Sequence, residues 1–258
     1  MTNLTFADLA AFEPRESTEA EKVERALAAI KPVWPFLTDR LPPDVLALMP
    51  PAKWVDLPPF CEFKGLWDDQ ASAALVDALR PLFDGQPKFF KLSSRSPKES
   101  HDEHTGVQTW CAEQAAYRMS VSERCLDDCV LFLPHPNYRL KAVALDWRPY
   151  LPEWEVRCFV KDGRFIAATQ YDPRPSGYWQ RQDRRQKVRD TVEGLWRDQL
   201  HPRMHVDTYV FDVCLMWPGS GLIELNPYGL SDPCVLESYE AVEAFGGDVA
   251  FHPMDQPG

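Results

Sequence analysis

The sequence is poor in several features, and each shortage excludes a class. It has no run of about 18 apolar residues, so no membrane-spanning helix is expected. Positive charge is scarce: 28 Lys and Arg face 39 Asp and Glu, a net charge of −11. General nucleic-acid binding needs many uncompensated cations and is not expected, although a local basic groove stays open. The seven cysteines, at 61, 111, 125, 129, 158, 214 and 234, are odd in number and include no C-x-x-C pair. A disulfide framework is therefore not expected, and a cytoplasmic location is. Met1 to Phe12 carries one acid, Asp8, and no basic n-region, unlike a signal peptide. No G-x-x-x-x-G-K-[ST] phosphate loop occurs, and Gly219-Ser220-Gly221 after Pro218 reads as a turn, not a nucleophile elbow. There is no internal repeat and no low-complexity tract.

Apolar residues, at 45%, are enough to build a core, and 258 residues suit one large or two small domains. Proline is abundant: 24 residues, well above the usual share of about 5%. Eight lie between Pro32 and Pro59, which excludes a regular helix or central strand there. That stretch reads as an extended segment wrapping over the domain, with short helical pieces such as Pro43–Met49. Helices are expected over 19–30, capped by Thr18, and over 68–79, 108–119, 183–200 and 238–245. Cys125 and Cys129, one helical turn apart, read as small apolar residues on one helix face. Strands are expected over 88–92, 130–133, 140–147, 155–160, 164–171, 208–216 and 222–226. Asp162-Gly163 signals a hairpin. The class is α+β, with a lobe boundary near 146–152.

The last hairpin carries the strongest chemical signal. Glu224 and Asn226 are two apart and share a strand face, with Ile223 and Leu225 on the core side. A five-residue loop, Trp217 to Gly221, would pair Cys214 with Glu224 and Asp212 with Asn226. Two carboxylates and an amide oxygen would then form a hard-oxygen patch suited to magnesium. The alternative is a solvated hairpin face.

Lys88, Lys91, Arg95 and Lys98 concentrate positive charge beside a serine-rich loop, an arrangement suited to phosphate or to a merely solvated loop. Glu155 and Arg157 share one strand face, as a phosphate-orienting pair or an ordinary ion pair. Two histidine pairs, His101/His104 and His201/His205, have ligand spacing but no convergent third ligand for zinc. The run Arg174, Arg181, Arg184, Arg185, Lys187 and Arg189 reads as a solvated helix face or as a surface for a protein partner or acidic substrate. Its leading segment, DPRPSGYW, has the composition of a mobile flap.

KLSSRSPKES, WRPYLPEWEVRCFVKDGRFIAATQYD and YVFDVCLMWPGSGLIELNPYGLSDPCVLESYE resemble, in that order, the cell division cycle protein 123 family. The resemblance spans roughly residues 85 to 242. It implies an ATP-grasp fold: two α+β lobes holding ATP and magnesium in a cleft. The lobes would be residues 51–146 and 147–258, with 1–50 packed on the domain as a helical, Pro-rich segment. Lys91 then corresponds to the phosphate-contacting lysine, with Arg95 beside it. Ala144, Leu145, Asp146 and Trp147 correspond to the hinge that meets adenine, and Arg157 to the cleft arginine. Asp212, Glu224 and Asn226 correspond to the metal ligands. Ser93-Ser94 stands where eukaryotic members have Asn-Trp, Leu145 where an arginine is common, and Glu224 where Asp is usual. Glu-x-Asn is the form common in catalytic ATP-grasp ligases.

The resemblance implies a nucleotide-dependent assembly factor acting on a protein partner. The alternative is an ATP-grasp ligase or phosphotransferase, in which Lys91 and Arg157 would be the catalytic cations. A third reading is a degenerate fold without nucleotide.

Overall fold

A computed structural model describes residues 18–58, 69–97, 108–149, 154–172, 174, 181–217, 221–247 and 249–251. The chain divides into two compact units: residues 1–40 with 51–147, and residues 41–50 with 148–258.

In the first unit, helix α1 (Glu19–Ile30) opens on a capping box. Glu21 N–H donates to the Thr18 hydroxyl, and the Glu21 carboxylate accepts from Thr18 N–H at 2.7 Å. The short α2 (Pro43–Leu46), which belongs to the second unit, starts on a proline whose missing N–H costs nothing there. Strand β1 (Ala52–Asp56) occupies the proline-free gap between Pro51 and Pro58. It forms an edge, the position proline-flanked segments tolerate. Then follow α3 (Asp69–Leu79), β2 (Lys88–Leu92), β3 (Gln108–Thr109), α4 (Ala112–Val121), α5 (Glu123–Phe132) and β4 (Lys141–Asp146). The antiparallel sheet runs β1-β4-β2-β3 among the described residues.

Two local readings change. Residues 130–133, expected as a strand, fall at the end of α5. The apolar run is too short to tell strand from helix, and Cys125, Cys129 and Phe132 bury one helical face. Gln108–Thr109 is a short strand and the helix begins at Ala112. One sheet face, carrying Phe90, Leu92, Ala142 and Ala144, packs into a core with Leu75 and Leu79 of α3, Met119 of α4 and Cys125, Cys129 and Phe132 of α5.

The second unit holds β5 (Glu155–Lys161), β6 (Arg164–Gln170), α6 (Gln182–Leu195), β7 (Tyr209–Cys214), β8 (Leu222–Asn226), α7 (Tyr239–Ala244) and β9 (Val249–Ala250). The sheet order is β8-β7-β5-β6-β9, antiparallel except for the β6–β9 pair. Asp162 and Gly163 both have positive φ, 50° and 67°, as a tight two-residue hairpin requires. The helix expected to reach residue 200 ends at Leu195 and continues as a π turn, Trp196–Leu200. On one sheet face Phe159, Ala167 and Val210 pack with Val242 and Tyr239. On the other, Phe165 lies against Trp196 and Phe211, and the Trp196 indole donates to Tyr209 Oη at 3.0 Å.

Candidate functional site

The register of the second sheet places five polar side chains together. Arg157 on β5 lies directly opposite Asp212 on β7, and Asp212 opposite Glu224 on β8. Thr169 on β6 completes the row on the other side of Arg157. Asn226, two residues beyond Glu224, shares their face. Its Nδ2 donates to Asp212 Oδ2 and Glu224 Oε1, both at 3.2 Å.

Two β-bulges build this row. The turn-proximal pair is Val213–Leu222, and a straight ladder from it would set Asp212 against Ile223, on the wrong face. A bulge between Asp212 and Val213 advances the pairing by one residue and brings Asp212 to Glu224. The expected pairs, Cys214 with Glu224 and Asp212 with Asn226, are therefore two residues out of register. A slip of two preserves side-chain parity, so the three residues still share a face. Likewise, a bulge between Phe159 and Val160 sets Thr169, not Ala168, opposite Arg157.

Arg157 and Asp212 are both buried, at 3% and 0% exposure. Arg157 Nε donates to Oδ1 and Nη2 to Oδ2, each at 2.8 Å, the bidentate geometry that arginine alone supplies. Nη1 donates to the Asp232 carbonyl at 2.9 Å, and the guanidinium sits 4.7 Å over the Tyr171 ring. Burial works against its charge, but Asp212 outweighs that and holds the group above the usual arginine range. The ion-pair partner of Arg157 is thus Asp212 across the strands. Tyr171, Thr169 and the Asp232 carbonyl were not anticipated. A bulge and a loop bring them in, and neither has a sequence signature.

In the first unit, Lys91 is 3% exposed and pairs with Val143 in the ladder. With Phe89, Val143 and Leu145 it occupies the sheet face opposite the helical core. Lys88, three residues earlier, is on the core face, held by Asp84 at 3.0 Å and Asp146 at 2.9 Å. Arg95 Nε donates to Asp128 Oδ1 at 2.8 Å, and the Ser94 hydroxyl donates to the other oxygen of that buried carboxylate. Ser93 Oγ meets Tyr138. These hydroxyls and Arg95 are therefore engaged with protein groups. Lys98 lies outside the described residues.

Of the residues expected at an adenine hinge, Ala144 and Leu145 pair with β1 on one side and β2 on the other. Asp146 N–H donates to the Pro51 carbonyl at 2.9 Å and Trp147 N–H to the Pro87 carbonyl at 3.2 Å.

The basic run does not form one solvated face. Val188 and Val192 are buried, and Arg184, Arg185 and Arg189 flank that stripe half-buried, with Arg185 4.4 Å over Phe251. Asp183, Gln186 and Asp190 are exposed, as is Lys187. Arg174 is tied to Asp172, and Arg181 to Asp183 at 3.0 Å. Most of the flap segment, residues 173 and 175–180, lies outside the described residues, as do His101 and His104. His201 sits in a 3-10 turn against Trp196, so it shares no helix face with His205. Among the described residues no group of three or more His, Cys, Asp or Glu is placed to hold a metal. The magnesium expectation therefore rests on two carboxylates and an amide, donor types that suit the ion, with the Asn226 amide needing to turn its oxygen where Nδ2 now meets the carboxylates and with Arg157 on both Asp212 oxygens.

The D123 family model matches residues 126–251, a range that contains Arg157, Asp212, Glu224 and Asn226. A translation initiation factor eIF2 assembly protein of Xenopus laevis is 26% identical over 142 residues, 52% of this chain and 39% of that protein. Its Xenopus tropicalis counterpart is 29% identical over 110 residues, 41% and 30%. The solved structure of Cdc123 from Schizosaccharomyces pombe superposes with a TM-score of 0.68 at 21% identity, covering 87% of this chain and 98% of that one. Over its second half the chain is thus similar to the D123 family. Its α+β fold is that of the Cdc123 structure. The matched segments span 39% and 30% of these curated relatives, well under half their length. No described helix is long and apolar enough to cross a membrane.

Proposed function

We propose that this chain binds ATP with magnesium and serves as a nucleotide-dependent assembly factor for a protein complex in the cytoplasm. The carrying observation is the row Glu224–Asp212–Arg157 with Asn226 beside it: oxygen donors and a buried guanidinium on one face of one sheet. Glu224, Asp212 and Asn226 would hold the ion, with Arg157 beside it adding positive charge from its pair with Asp212. Bound magnesium would neutralise phosphate charge. Lys91, on the sheet face away from the helical core, would supply a point charge to the phosphates. Ala144 to Trp147 would border the adenine. The assembly role is supported by the relatives' own description as eIF2 assembly proteins. The partner of this chain would be a protein. Free cysteines at 111, 125, 129, 158, 214 and 234 agree with a reducing compartment.

Calorimetry tests this reading. ATP should bind, and binding should weaken strongly when magnesium is chelated. Glu224→Gln should blunt the magnesium dependence and leave adenosine binding alone. ATP binding that ignores magnesium would overturn the assignment.

A second reading, ligase or phosphotransferase, is favoured by Glu224 itself, since the family resemblance makes Glu-x-Asn the form common in catalytic ATP-grasp ligases. Release of ADP or AMP on incubation with magnesium and candidate amines or carboxylates would select it.

A further inference from the structure

Two residues ahead of the first sheet, Thr38 and Asp39, reach Ser93, the residue after the strand that carries Lys91, and Tyr138. Thr38 gives its N–H and its hydroxyl to the Ser93 carbonyl, at 2.9 and 3.2 Å. Asp39 Oδ1 accepts the Tyr138 hydroxyl at 2.8 Å. Tyr138 has one phenolic proton and gives it to Asp39. The 3.0 Å contact between Ser93 Oγ and Tyr138 Oη is therefore donated by Ser93. The Lys141 N–H donates in turn to Ser93 Oγ at 3.4 Å. A directed chain results, from Lys141 N–H through Ser93 and Tyr138 to the Asp39 carboxylate. Ser93 N–H donates to the Lys141 carbonyl at 2.8 Å, so Ser93 is held at its nitrogen, oxygen and side chain. Ser93, Thr38 and Tyr138 are all buried. Buried chains ending on a charged acceptor hold geometry more tightly than isolated bonds.

The β2–β4 ladder ends at the Leu92–Ala142 pair, and beyond it the sheet holds the chain only through Lys141, which exchanges bonds with the Ser93 N–H and hydroxyl. Lys91 lies one residue inside that end. A lysine is a flexible stem whose aim depends on where its backbone sits. We propose that Thr38 and Asp39, acting through Ser93 and Tyr138, are positioning residues that aim Lys91 at the ATP phosphates. The inference rests on the phosphate role proposed for Lys91, and none of the four residues need touch the nucleotide.

The test compares ATP–magnesium with adenosine, by calorimetry on the full chain. Tyr138→Phe keeps the ring against Trp34 (centroids 4.9 Å apart) and beneath Arg40, and removes only the hydroxyl. Thr38→Val removes the other hydroxyl. Each should weaken ATP about 2- to 10-fold, the worth of one net hydrogen bond, with adenosine unchanged. Amide exchange at Lys91 to Ser93 should accelerate in both. Cys129→Ala, in the helical core, serves as a destabilised control whose ATP-to-adenosine ratio should stay at the unmodified value. If Lys91→Ala weakens ATP while Tyr138→Phe and Thr38→Val leave it unchanged, the inference falls and the phosphate role stands. If Lys91→Ala leaves ATP binding unchanged, both fall. A control that shifts the ratio as much as Tyr138→Phe also overturns the inference, because general loosening would then account for the effect.

Discussion

Arg157 and Asp212 face each other across β5 and β7 and share two 2.8 Å hydrogen bonds. With almost no solvent at either side chain, each depends on the other. Asp212→Ala would strand a buried guanidinium, a cost of about 3–5 kcal/mol. The midpoint of urea unfolding should drop accordingly. Asp212→Asn retains one acceptor and should lose less. A midpoint for Asp212→Ala no lower than that of Glu224→Gln would contradict the pairing.

Lys91 and Lys88 should part company in binding. Charge-assisted hydrogen bonds are worth roughly 1.5–3 kcal/mol, so Lys91→Ala should weaken ATP about ten- to a hundredfold and spare adenosine. Lys88 is committed to Asp84 and Asp146 on the core face. Lys88→Met should lower the melting temperature and leave the ATP-to-adenosine ratio alone. Equal effects on that ratio would return both lysines to a common basic stretch.

Gly221 has φ +64°, and a Cβ there would stand 2.4 Å from the Cys214 carbonyl oxygen, inside any real contact. Its own carbonyl accepts from Cys214 N–H at 2.8 Å, closing the hairpin below the bulge. Gly221→Ala should therefore cost more than the roughly 1–2 kcal/mol of a left-handed backbone alone. Differential scanning calorimetry should show the loss, and an unchanged melting temperature would mean the turn is not held as described.

His135 stacks on Trp34 with centroids 4.9 Å apart, and its Nδ1 accepts Asn137 N–H at 3.3 Å. Burial, and then the charge of Arg40, hold its pKa below the usual 6.5. The unfolded chain thus takes up a proton that the folded chain refuses. This contribution to stability is complete above about pH 6.5 and falls as the pH drops below it. His135→Phe keeps a stacked ring without the proton. Urea midpoints from pH 7.5 to 5 should decline less steeply in that variant, and parallel declines would exclude His135 as a contributor.

Much of the local structure was legible in the residues. Thr18 and Glu21 complete a capping box within four positions, Asp162-Gly163 is a hairpin turn by composition, and Cys125 and Cys129 share a helix face. Each depends on neighbours in the chain, so nearby sequence is sufficient. The segment 130–133 misled because four apolar residues satisfy a strand and a helix equally. The likeness to the cell division cycle protein 123 family was likewise legible, since E-x-R-C-F-V and E-x-N-P-Y-G lie in order along the chain.

Proximity between distant strands was not legible. Asp212, Glu224 and Asn226 could be named from the hairpin, but their register depends on a bulge between Asp212 and Val213, and that of Arg157 with Thr169 on another at Phe159. A bulge forms where sheet packing accepts an extra residue, a condition set by both faces of the sheet and not by the strand's own order. The same holds for Arg157: its alternation along β5 suggested Glu155 as partner, and cross-strand pairing supplied Asp212. Sequence by itself determined which residue types were available, which local turns and caps would form, and which side chains could alternate together. Only the tertiary structure decided who faces whom, because a one-residue change in pairing reverses every side chain on a strand.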